Sequence, residues 1–165
     1  MEEIPMSNEA ELKAKFWKAL KSDRTGLIGL RGGEGGRAQP MTFVLDGDET
    51  EAAWIFSAVD VDLVKETGAG APALLHFASK GHDLFAAVDG RLTIETDPEM
   101  VERLWNPFIA AWYEGKDDPK LRLLRFEPGQ AQIWLNENSL FAGVKMLLGV
   151  DPKKDYDDKT AEVRL

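Results

Sequence analysis

The chain has no cysteine among its 165 residues. That absence excludes a disulfide scaffold, a thiolate zinc site and a cysteine nucleophile together, and it fits a reducing compartment. Histidine is nearly as scarce, with only His76 and His82. They fall on an expected strand and its turn, and no neighbouring pattern supplies the carboxylate a metal would want as a further ligand. His76 therefore reads as an ordinary sheet residue, and no metal is expected. No stretch approaches the roughly 18 apolar residues of a membrane span. Met1 to Met6 carries Glu2 and Glu3 where a secretory leader has positive charge, so the expected location is the cytoplasm. An excess of base is also missing. Lys plus Arg number 20 against 29 Asp plus Glu, a net charge of -9. A chain so acidic offers no general face for nucleic acid, although one local basic pocket for a phosphate remains compatible with it.

What is present is enough apolar residue to fold: 44% hydrophobic against 30% charged, in a length that suits one domain around one core. Ser7 or Asn8 is placed to cap a helix from about Glu9, with Leu12, Phe16, Ala19 and Leu20 on one face and Lys13, Lys15, Lys18 and Lys21 on the other. From Thr25 the pattern changes to strands. Thr25–Arg31 and Arg37–Leu45 flank the glycine-rich turn Gly32–Gly36, and Asp46-Gly47-Asp48 signals a second turn. Ala52–Ala58 follows, then a short helix over Asp60–Thr67 and a strand over Ala73–Ser79. Leu84–Glu95 is a further strand, with Asp89-Gly90 as a bend or bulge. Asp97 and Pro98 open a helix to Trp105, and Phe108–Tyr113 continues as a second helical piece after Pro107. Leu121–Glu127 and Gln130–Leu135 read as a hairpin across Pro128-Gly129. A last helix is expected over Ser139–Leu148, and 150–165 reads as a charged surface strap or tail behind a domain of residues 1–149. Hairpin-linked strands without regular strand–helix alternation predict an antiparallel β-barrel with peripheral helices.

Two blocks then carry a resemblance. Leu104-Trp105-Asn106-Pro107, followed by Ala111-Trp112-Tyr113-Glu114-Gly115-Lys116-Asp117-Asp118-Pro119, resembles the general-stress-protein branch of the pyridoxamine 5'-phosphate oxidase-like FMN-binding split-barrel family. Leu123 to Trp134 and the strands carrying Arg37–Thr42 and Trp54–Ser57 fall in that family's order. The resemblance spans about residues 9 to 149. It implies a mainly β fold, a six-stranded antiparallel split barrel with peripheral helices, and a homodimer with FMN between the subunits. Carried over residue by residue, it names Arg37, Pro40, Met41 and Thr42 on one strand and Phe56 and Ser57 on the next. The family's lysine in the following short helix is replaced by Leu63. The nearest cation, Lys65, lies two residues on, which turns it by roughly 200° around a helix.

The chemistry suits these residue types. A phosphate asks for guanidinium or ammonium groups with hydroxyl donors, which Arg37, Lys65 and Ser57 supply. Trp112 and Tyr113 stand where one of them would border a flat ring or anchor a dimer. Trp105 and Trp134 read as core, and Lys116, Asp117 and Asp118 as a loop that caps a turn. No catalytic side chain stands out. The implied function is an FMN-dependent oxidoreductase of a small molecule. The alternative is a non-catalytic dimer that stores or binds flavin, or another planar anion.

Overall fold

The alternation of buried and exposed residues along the strands becomes a closed sheet in the computed structural model, which describes residues 6–32, 37–47, 51–136 and 160–165. Helix α1 (Met6–Asp23) is followed by β1 (Thr25–Leu30), β2 (Gln39–Thr42), β3 (Ala53–Ala58), α2 (Asp62–Thr67), β4 (Ala71–Ala78) and β5 (Leu84–Ile94). Then come α3 (Pro98–Leu104), α4 (Pro107–Ala110), β6 (Leu121–Leu135) and β7 (Thr160–Arg164). The expected Gly33–Gly36 turn and the helix over Ser139–Leu148 lie outside the described residues. No described helix is long and apolar enough to cross a membrane.

Six antiparallel strands run in the order β2-β1-β4-β5-β6-β3. Among the described residues, the two ends of this path meet through one bridge, Val44 just after β2 opposite Trp54 of β3. Its two backbone hydrogen bonds measure 2.7 and 2.9 Å and close the path into a barrel. The barrel is split along β6. Residues Leu121–Phe126 pair with β3, while Gln130–Trp134 on the same edge pair with β7. The end of the charged tail thus joins the sheet, and Val163 is buried in the core.

One element departs from the sequence pattern. Pro128-Gly129 reads as a hairpin turn, yet β6 runs through it as a single strand. The reason lies on the neighbouring strand. The β5–β6 register shifts between Val88 and Gly90, and Gly90 faces Pro128. A proline cannot donate to a ladder, but opposite a bulge it loses nothing. A Cβ on Gly90 would fall 2.5 Å from the Glu127 carbonyl oxygen, so only glycine admits this approach. The bulge expected at Asp89-Gly90 is therefore what lets the strand continue.

The interior is filled from one side by α1, whose Leu12, Phe16, Trp17 and Leu20 are buried with Ile28, Ile55, Leu75, Phe77 and Phe126. Phe16 meets Phe77 edge to face at 6.0 Å. The helix begins at Met6, so Ser7 and Asn8 lie inside its first turn rather than before it. It ends at Arg24, whose N–H donates to the Leu20 carbonyl at 2.8 Å with φ at +64°. A residue with a side chain in this left-handed region costs about 1–2 kcal/mol.

A second apolar cluster lies outside the barrel, under α3 and α4. Trp54, Phe56, Leu121 and Leu123 pack there against Val101 and Leu104. Strand β3 is therefore buried on both faces: Ala53 and Ile55 point in, Trp54 and Phe56 point out. That is why its sequence reads as an unbroken apolar run rather than an alternating one.

Candidate functional site

The two strands singled out by the resemblance are neighbours across the place where the barrel closes. Beyond the Val44–Trp54 bridge, β2 and β3 form no continuous ladder. They run antiparallel, so the Arg37 end of β2 lies toward the Ser57 end of β3, where α2 begins. Counted from the bridge, Ser57 is level with Met41, and Arg37 and Lys65 lie further from it along their own segments. None of the three cavities described below has Arg37, Ser57 or Lys65 in its lining.

Side-chain directions divide the named residues further. On β2, Pro40 and Thr42 are exposed, while Met41 packs against the interior core. On β3, Phe56 packs outward, its ring edge-on to Trp105 at 6.0 Å. Ser57 has the opposite parity and is buried, 5% exposed. Arg37 is exposed. Its carbonyl would stand 2.8 Å from a Cβ on Gly29, so that glycine lets the chain entering β2 close onto β1. In α2, Leu63 is buried in the core and Lys65 is exposed. The position where the family has lysine therefore faces the interior in this chain. The available ammonium points to solvent from another side of a short helix.

At the Thr42 end of the seam a cavity of about 610 Å³ opens, lined by Thr25, Thr42, Phe43 and Val44 together with Phe108 and Trp112. Its volume lies within the usual range for small-molecule pockets. Trp112 is 83% exposed and Phe108 74%, a large unburied aromatic surface for one chain. Local chemistry puts them there. The Asn106 side chain accepts hydrogen bonds from the Phe108 and Ile109 N–H groups at 3.0 and 3.1 Å, which starts α4 directly after Trp105. Lys21, Asp23 and Arg24 complete the rim of this cavity. No local pattern in the sequence marks them as site residues, because they sit on a helix end far from either motif.

A second cavity, of about 870 Å³, lies between α3 and the charged loop and is walled by Trp105, Tyr113 and Arg122. Its charges are largely spent on structure. Lys116 pairs with Glu102 at 2.8 Å, and Arg122 donates to the Pro119 and Leu121 carbonyls. Asp118 accepts from the Glu114 and Lys120 N–H groups at 3.0 and 2.9 Å, the turn-capping role expected of this loop. Those backbone donors hold the Asp118 carboxyl below the usual carboxylate range. Burial, then the nearby Asp118 and Asp60 carboxylates, pushes the Tyr113 phenol up.

A third cavity, of about 530 Å³, is apolar and runs over the outer face of β1, β4, β5 and β6, past Leu27, His76, Phe85 and Trp134. Trp134, expected in the core, lies here instead. Ile133 beside it takes the core position, as the two-residue period of a strand requires. Thr25 lines both this groove and the seam cavity, so the two adjoin.

Residues 11–157 match the family described as pyridoxamine 5'-phosphate oxidase like. The chain is 55% identical to the solved structure of the general stress FMN/FAD binding protein from Xanthomonas citri. The TM-score is 0.75, with 79% of this chain and 92% of that one covered. A general stress protein 26 from Jannaschia superposes with a TM-score of 0.82 at 31% identity, covering 95% of this chain and 99% of the other. General stress protein 26 of Bacillus subtilis is 25% identical over 126 residues, which is 73% of this chain and 86% of that protein. The protein belongs to the pyridoxamine 5'-phosphate oxidase-like family, in its general-stress-protein branch.

Proposed function

We propose that the chain binds FMN in the seam between β2 and β3, as a homodimer, and acts as an oxidoreductase on a small molecule. The observation that carries the reading is the meeting of separate sequence blocks. The strands of Arg37–Thr42 and Phe56–Ser57 face each other across the barrel's closing bridge, and Thr42 shares a cavity with Trp112. The residues fit such a ligand. Exposed Arg37 and Lys65 would be the cations for an anionic tail, with the buried Ser57 hydroxyl as a further donor. Thr42 and Trp112 would line a slot for the ring, with Pro40 on the same outer face of β2; Met41 holds β2 to the interior core and Phe56 holds β3 to the outer cluster. When bound, the flavin would supply the electron-transfer chemistry, while the protein holds its tail and orients its ring. The name of the Xanthomonas citri relative, an FMN/FAD binding protein, supports this assignment.

A second copy of the chain is the proposed cover for the apolar outer groove, where Leu27 and Phe85 stand exposed beside half-buried Trp134. Because Thr25 joins that groove to the seam cavity, the dimer would shelter the flavin. A cysteine-free chain suits the reducing cytoplasm. The buried Leu63, which leaves one cation fewer than the family's pattern, favours the second reading, a non-catalytic flavin-storage dimer with weakened affinity.

Purified full-length protein tests the proposal directly. A yellow dimer in sedimentation analysis, releasing a species with the mass of FMN, is the expected result. A monomer that stays colourless, with no rise in melting temperature on adding FMN, rejects it, because a ligand of the native state must stabilise it.

A further inference from the structure

The seam cavity carries cation that a flavin ring does not require. Lys21 and Arg24 reach its rim from the end of α1, beside the Thr25 and Thr42 hydroxyls and the Phe108 and Trp112 rings. Thr25 and Thr42 are register partners and both are exposed, so the two occupy one rung of the outer face. Among the described residues, the one carboxylate on the rim, Asp23, already accepts the Lys80 backbone N–H at 2.6 Å.

Arg24 is the informative residue. Its backbone ends α1 in the left-handed region, and its carbonyl accepts the Phe43 N–H at 2.6 Å. Helix termination and strand pairing use only its main chain. Glycine or asparagine would take this backbone with less strain. The guanidinium is thus unexplained by capping, and strained non-glycine residues gather at ligand sites. It also stands apart from the proposed phosphate end, because Arg37 lies beyond the opposite end of β2.

A planar guanidinium with hydroxyls beside it and aromatic faces opposite recognises a carboxylate or similar anion on a flat apolar body. We infer that the Arg24 rim is a second anion site, and that the molecule meeting the flavin is a small aromatic or conjugated organic anion. The inference rests on the flavin reading for what lies beside it, and on Arg24 and its neighbours for its own chemistry.

The test titrates full-length protein, with and without FMN, with benzoate and with its neutral analogue benzamide, by calorimetry. Arg24→Asn removes the charge while tolerating the backbone, and Arg24→Lys keeps a charge. Benzoate should bind at least about tenfold more tightly than benzamide, and Arg24→Asn should lose about tenfold or more of that affinity. Arg24→Lys should recover part of it, with FMN affinity equal in all three proteins. Absent benzoate binding, equal binding of the two probes, or an Arg24→Asn protein that holds benzoate like the wild type overturns the site. A parallel loss of FMN affinity in Arg24→Asn also overturns it, by assigning Arg24 to the flavin. If benzoate behaves as expected but the wild type never binds FMN, the flavin reading fails and the anion site stands.

Discussion

Inside the barrel, strands meet over whole ladders and a helix plugs the space. At the seam, β2 and β3 meet at one described bridge, and beside it a cavity opens between the β2 end, the end of α1 and α4. The contrast separates two kinds of stability. Interior residues such as Phe16, Ile55 and Phe126 are buried because the sheet needs them. Residues such as Thr42 and Trp112, which line that cavity, stand exposed, so the fold does not depend on them. Residues that a fold does not need and a cavity collects are where binding is expected.

The largest effect should come from breaking the interior. Phe16→Ala removes a fully buried ring and should cost about 3–5 kcal/mol of folding stability in urea denaturation. The paired substitutions in α2 sharpen the contrast within a single helix. Leu63→Ala should cost about 2–5 kcal/mol of stability. Lys65→Ala should change stability by less than about 0.5 kcal/mol and yet weaken FMN in a fluorescence titration. If Lys65→Ala leaves FMN untouched, that lysine belongs to the solvent.

The smallest effect concerns the charged loop. Its carboxylate at Asp118 has a lowered pKa in the folded chain. The contribution is therefore present above the ordinary carboxylate range and lost as pH falls through the lowered value. The protection factors of the Glu114 and Lys120 amides, taken against their intrinsic exchange rates at each pH, should fall on acidification across that window, and Asp118→Asn should flatten the dependence. An unaltered profile in the variant would assign the effect to another group.

Much of this was legible in the sequence, and the boundary is physical. Strand-like runs between turn signals placed β1 and β4, the Asp97-Pro98 pair opened α3, and Asp89-Gly90 marked a real bulge. Pro128-Gly129 misled because its meaning depends on Gly90, a partner on another strand. The short β7 carries too few apolar residues to announce itself, and only its pairing with β6 makes it a strand. At the candidate site, motif residues named both strands, but their opposed side-chain directions at Phe56 and Ser57 needed the core. Arg24 was invisible because its place beside Thr42 is set by the whole barrel.

The central claim is that the seam clasps a flavin by its anionic end. Equilibrium titration of the dialysed full-length protein with FMN, followed by quenching of flavin fluorescence, tests it most directly when wild type and Arg37→Ala are compared. The account predicts saturable binding at one FMN per chain, weakened by roughly 2–3 kcal/mol in the variant at unchanged folding stability. Identical dissociation constants for the two proteins, or no saturable binding by the wild type, would contradict it.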